Sequence, residues 1–222
     1  MNKKDDIIIL ALDFDTWEEA KSNVEKLGNA GNFYKIGMRL FFAGGFPAIE
    51  WLKSRNKKVF LDLKLNDIPA TIFGAVSQLS QRGVDLLTVF GDSNTAKAAA
   101  EATKDSHTRA VNVTVLTSEN GTGFTTELVI DRTEMTLQAG LSGVVCSGWE
   151  TLPLREKFGE DFLIINPGIR LNRTETDDQK RVVTPLQAIE SGASHIVIGR
   201  PVFASENPVE ALEKIKETLS GS

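Results

Sequence analysis

An internal disulfide is excluded at the outset, because the chain carries a single cysteine, Cys146. One thiol also rules out a cysteine-rich metal site. It lies in the apolar stretch GVVCS with no motif linking it to a base, so it reads as a small buried strand residue. Histidine is nearly as scarce. His107 falls in the polar loop DSHTR and His195 opens the run HIVIGR, and neither has metal-ligand spacing. Long apolar runs are missing too. The longest, such as IIILAL, are far too short to span a bilayer. No signal-peptide core follows the charged N-terminus MNKKDD, so the expectation is a cytoplasmic protein with no membrane partner. A net charge of −5 argues against general nucleic-acid binding. It leaves room for a small anionic ligand, because local groups can hold a phosphate on an acidic protein. No linker, low-complexity tract or charge block divides the 222 residues, so one domain over 1–222 is expected.

What is present is an alternation. Apolar, β-branched runs occur at 7–14, 33–38, 58–65, 85–91, 109–117, 143–147, 162–169 and 195–200. Helical patterns lie between them. TWEEAKSNVEKLG starts on Thr16 as a candidate cap and stops at Gly28. PAIEWLKS (47–54) tolerates Pro47 in its first turn. PATIFGAVSQLSQRG and NPVEALEKIKETLSG carry apolar residues at three- and four-residue intervals. Strands apolar on both faces and separated by helices predict a parallel sheet. Eight such units in this length predict a (β/α)8 TIM barrel of the α/β class. An open doubly wound sheet is the alternative, but it would normally hold fewer strands, and no GxGxxG follows the first run.

A barrel places its chemistry at the C-terminal ends of the strands. There the sequence puts Asp13, Asp62, Lys64, Thr117, Ser118, Pro167, Gly168, Gly199 and Arg200, with Lys35 inside the second run. In DLKLNDIP (62–69), strand alternation turns Asp62 and Lys64 to the same side. Burying two unlike charges costs several kcal/mol unless they pair, so the choice lies between a structural ion pair and a site. VIGRP places a glycine and an arginine before a short helix, which suits a phosphate dianion. The polar connection 166–185 contains Gln179 and Arg181 and reads as a loop, at 170–183, that closes over a ligand. REKFGED (155–161) reads as a solvated helix end.

Taken together and in order, LALDFD, YKIGMRLFFAGG, DLKLNDIPATI, TVLTS, GVVCS, NPGIR, DDQKRVVTP and VIGRP resemble the orotidine 5′-phosphate decarboxylase family over almost the whole chain. The resemblance implies a homodimeric barrel that converts orotidine 5′-phosphate to uridine 5′-phosphate in de novo pyrimidine synthesis, with no cofactor and no metal. It assigns Lys35, Asp62, Lys64 and Asp67 to a charged catalytic network, with Lys64 as the proton donor to C6 of the pyrimidine. It sends Asp67, with Ile68 and Thr71, into the partner's site. Asp13 and Lys35 match ribose-binding positions, Ser118 and Pro167 base-contacting ones, Gln179 the closing loop, and Gly199 with Arg200 the phosphate grip. One departure is visible: Phe90 stands where the family often has a histidine.

The rival readings differ in chemistry. Sugar-phosphate decarboxylases and hexulose-phosphate synthases of the same superfamily use magnesium, with an acid where Lys35 stands. A ribulose-phosphate epimerase barrel would want metal-binding histidines at strand ends. A barrel that binds phosphate ligands without catalysis would be expected to lack members of the charged network.

Overall fold

The computed structural model describes residues 6–115, 126–170 and 183–220. Strands β1 (Ile8–Ala11), β2 (Phe33–Gly37), β3 (Lys58–Leu65), β4 (Leu86–Val89), β5 (Arg109–Val113), β6 (Gly143–Val145), β7 (Leu163–Asn166) and β8 (His195–Ile198) are all parallel. They pair in chain order, and β8 returns to β1, so the sheet is a closed barrel. The connecting helices are α1 (Trp17–Leu27), α2 (Met38–Ser54), α3 (Pro69–Gln81), α4 (Ser93–Thr103), α5 (Thr126–Gln138), α6 (Thr151–Phe158) and α7 (Pro185–Glu190). A short α8 (Arg200–Phe203) and a final α9 (Pro208–Ser220) follow β8. This is the (β/α)8 barrel that the alternation predicts.

The two-sided apolarity of the strands has a direct packing cause. Alternate residues point to opposite faces. Ile9, Ala11, Phe33, Phe60, Leu86, Val111, Ile165 and Val197 form a buried cluster of their own. Their neighbours in sequence, among them Leu10, Tyr34, Val59, Leu61 and Leu87, join the larger core shared with the helices. Neither face is left to water, so a half-polar strand pattern would not serve.

Local signals set the helix ends. The Thr16 hydroxyl accepts the Glu19 N–H at 3.2 Å, and Gly28 takes φ 51° past the end of α1. Pro69 occupies the first turn of α3, where its missing N–H has no intrahelical partner to lose. A capping box of Thr184 and Gln187 starts α7. Helix α2 departs from expectation. It begins at Met38, well before 47–54, and is broken at Gly45, whose φ of 56° and ψ of −153° only glycine takes without strain. Pro47 then opens its second half, in the role foreseen for it.

The segment 155–161 needs correction. Glu156, Glu160 and Asp161 are exposed, as a solvated helix end requires, but Arg155 is buried. Its guanidinium donates to the carbonyls of Gly192, Gly159 and Phe162 at 2.8, 3.1 and 3.0 Å and to the Ser194 hydroxyl at 3.1 Å. An arginine can be buried when its fork of donors is satisfied in this way. Here it ties the end of α6 to the start of β8. At the N-terminal end of the barrel, Nδ1 of His195 lies 2.8 Å from the Asp6 carbonyl, and burial holds its pKa below the ordinary histidine value. His107 is exposed. Cys146 is buried just after β6, and burial pushes its thiol pKa up, which suits a structural residue and no nucleophile.

Candidate active site

At the C-terminal ends of the strands the barrel opens into a cavity of about 410 Å³. Asp13, Lys35, Asp62, Lys64, Pro167, Gly199 and Arg200 all line it. They come from five of the eight strand ends, so closure of the barrel assembles them from distant parts of the chain.

The charges alternate in a row. Nζ of Lys35 lies 3.2 Å from Oδ1 of Asp13 and 3.8 Å from Oδ2 of Asp62. Oδ1 of Asp62 accepts from Nζ of Lys64 at 2.8 Å. The Lys35 and Asp62 side chains are only 12% and 16% exposed, so each is largely removed from water. The cost of that desolvation is offset only because each charge faces its opposite on both sides. Gly37 lies beside Asp62 on the neighbouring strand, and a Cβ there would stand 3.4 Å from the Lys35 ammonium. Arg39 steadies the turn after β1 by donating to the Asp13 carbonyl and pairing with Asp15 at 2.9 Å.

Asp62 and Lys64 do reach the same cavity, but regular alternation is not the reason. Between the Leu61–Leu87 and Leu65–Val89 pairs, β3 advances four residues while β4 advances two. The surplus forms a bulge, and within it Lys64 adopts φ 50°, a conformation rare for a long side chain. Bulges re-aim side chains beside active sites. This one turns Lys64 inward over the carboxylate.

Sequence reasoning missed two residues here. Thr88 donates its hydroxyl to Oδ1 of Asp62 at 2.9 Å and accepts the Lys64 N–H at 2.8 Å. A threonine inside LLTV is an ordinary strand letter and gave no signal. Arg170 lines the cavity beside Gly168. Its signal was available, since it ends the motif NPGIR. Its backbone N–H also donates to the Val183 carbonyl at 3.3 Å, which brings together the two ends of the described chain around 171–182. The apolar wall comes from Val113, Val145 and Val197.

Other expected site residues are elsewhere. Asp67, Ile68 and Thr71 are exposed at the start of α3 and do not line this chain's cavity. The Asp67 carboxylate accepts the N–H of Ile68 at 2.7 Å. Phe90 is half-buried outside the cavity, its N–H bonded to the Leu65 carbonyl at 3.0 Å. Ser118, with Thr117, and Gln179, with most of the 170–183 loop, lie outside the described residues. Among the described residues no group of three or more His, Cys, Asp or Glu side chains is placed to hold a metal ion, and no helix is long and apolar enough to cross a membrane.

Comparison with known proteins meets this geometry from a different direction. An orotidine 5′-phosphate decarboxylase of Rhodopseudomonas palustris is 42% identical over 218 residues, covering 95% of this chain and 93% of the relative. One from Methylococcus capsulatus is 44% identical over 225 residues, covering 96% and 92%. The crystal structure of orotidine 5′-phosphate decarboxylase from Lactobacillus acidophilus superposes with a TM-score of 0.85 at 34% identity, covering 96% of this chain and 99% of that one. The family model for the Orotidine 5'-phosphate decarboxylase / HUMPS family matches residues 6–215, and with that match over nearly its whole length and a closed eight-stranded barrel, the chain belongs to that family.

Proposed function

We propose that the protein decarboxylates orotidine 5′-phosphate to uridine 5′-phosphate, a step of pyrimidine synthesis, within a single barrel domain. The observation that carries this reading is the row Asp13–Lys35–Asp62–Lys64 lining a barrel-mouth cavity with Arg200. In the reaction the bond from C6 to the carboxylate carbon breaks, CO2 leaves, and the electron pair stays on C6. The pyrimidine delocalises that pair poorly, so stabilisation must come from outside the ring. The Lys64 ammonium supplies it and then transfers a proton to C6, and the resulting amine regains its proton from solvent. Asp62, itself paired with Lys35, holds that ammonium in place before the reaction begins, and such preorganised charge is worth more in a site that excludes water. Pro167 packs against the base, and Asp13 and Lys35 meet the ribose. Gly199 and Arg200 hold the phosphate, and Ser118 and Gln179 are the further candidates for contacts to base and phosphate. Binding the phosphate far from C6 supplies energy that the chemical step can use.

The site reading extends to a second chain. Asp67, Ile68 and Thr71 are exposed beyond the cavity they would serve, and Ile68 is 67% exposed. Met38, Phe42 and Phe73 are further large apolar side chains exposed on α2 and α3, and apolar groups of this size at one rim suit burial against a partner. A twofold dimer would carry Asp67 of each copy into the other's cavity.

The deciding experiment follows the pyrimidine absorbance of orotidine 5′-phosphate mixed with the purified protein. Turnover should persist after exhaustive EDTA treatment, because both oxygens of Asp62 face ammonium groups and Lys35 stands where magnesium-dependent relatives place an acid. Loss of activity with EDTA and recovery with Mg²⁺ would overturn the metal-free mechanism.

Arg200→Ala should lower kcat/KM for orotidine 5′-phosphate by about 1.5–3 kcal/mol in transition-state stabilisation, the worth of a charge-assisted contact. Orotidine, which lacks the phosphate, should be a poor substrate and nearly indifferent to the change. An equal loss on both substrates would remove Arg200 from the phosphate site.

A further inference from the structure

We infer that Thr88 is a positioning residue for the decarboxylation, acting through one hydroxyl that clamps both Asp62 and Lys64. The inference rests on the activity proposed above and goes beyond it, because Thr88 lies under the charged row. The hydroxyl donates and accepts at once. Its proton goes to Oδ1 of Asp62 at 2.9 Å, and a lone pair accepts the Lys64 N–H at 2.8 Å. Thr88 is 1% exposed, so water does not compete for either bond.

The placement explains why those bonds matter. Across the β3 bulge the regular ladder to β4 lapses between Leu61 and Leu65. The backbone N–H of Lys64 therefore has no strand carbonyl to meet, and the β4 side chain takes over that task. The residue so held is the one with φ 50°. A conformation of that kind persists only where its surroundings over-determine it. The same oxygen that fixes the Lys64 backbone also orients the carboxylate that holds the Lys64 ammonium. Both ends of the lysine thus refer to one atom of β4.

Thr88→Val keeps the shape and removes both bonds, whereas Thr88→Ser keeps the hydroxyl and loses a methyl. In the whole protein, Thr88→Val should lower kcat on the order of 10²-fold, the effect of misplacing a catalytic group by about 1 Å. Binding of uridine 5′-phosphate, measured by calorimetry, should be retained, and Thr88→Ser should recover most of the rate. Amide exchange should show the Lys64 N–H losing protection in Thr88→Val while β1 and β8 stay protected. If the valine variant is unstable, Thr88→Ala, which relieves any crowding, replaces it in every arm. A hydroxyl-free variant with the wild-type kcat overturns the inference, as does a serine variant no better than it. A matched loss of rate and ligand binding overturns it too. Should the wild-type protein fail to turn over orotidine 5′-phosphate, the proposed activity falls, and the Lys64 amide then judges the clamp alone: unchanged protection without the hydroxyl overturns it.

Discussion

Lys64→Ala should all but abolish turnover of orotidine 5′-phosphate while leaving uridine 5′-phosphate able to bind. Two separate contributions proposed for the ammonium should leave with it. Removing one preorganised charge-stabilising group costs roughly 10²–10³ in rate, and losing a positioned proton donor costs roughly 10²–10⁴. Even the lower bounds together exceed about 5 kcal/mol of barrier, although groups that act as a unit do not sum faithfully. The phosphate contacts proposed for Gly199 and Arg200 should be untouched by the change. The loss should therefore fall on kcat, with product affinity measured by calorimetry close to that of the wild type. The variant also leaves the Asp62 carboxylate with Lys35 as its remaining cationic neighbour at 3.8 Å, so its fold should be checked by circular dichroism. A folded Lys64→Ala protein with near-normal kcat would reject Lys64 as the donor.

The second large effect concerns shared sites. Asp67→Ala and Lys64→Ala proteins should each be severely impaired alone. If Asp67 serves the neighbouring cavity, a mixed dimer gathers both lesions into one site and leaves the other whole. Equal amounts exchanged at random give about a quarter of all sites intact, by twofold symmetry alone. Activity should thus rise from near zero towards that fraction as subunits exchange, with heterodimers followed by native mass spectrometry. Heterodimers that form without any return of activity would assign Asp67 to its own chain.

How far the sequence revealed this depended on whether a residue's role was local or spatial. The eight strands were legible because a barrel wall buried on both faces demands uninterrupted apolar letters. Their ends were less so: Asp13 and Phe14 continue the run IIILALDF, yet β1 stops at Ala11, since letters do not show where a ladder loses its partner. The start of α2 was hidden because a helix that opens at Met38 is broken at Gly45, so only its second half shows an uninterrupted pattern. Asp13, Asp62, Lys64 and Arg200 were legible because charge at the end of an apolar run is conspicuous, and Lys35 because charge inside one is more so. Thr88 was not, because its meaning lies in a neighbouring strand and threonine is common in any strand. Arg155 was hidden among the charges of REKFGED, where nothing marks the one whose donors face inward.

The bulge in β3 has a consequence for how such a barrel can be cut and recombined. The inward turn of Lys64 depends on β4 lagging two residues behind β3 and on a β4 hydroxyl that takes up the displaced N–H. The octapeptide DLKLNDIP is therefore only part of a heritable unit. Spliced alone into a barrel whose third and fourth strands run in even register, it would carry every charge in the right order and lack the wall that aims them. A crossover that preserves the chemistry falls beyond Val89, so the smallest exchangeable piece is a pair of strands with the helix between them.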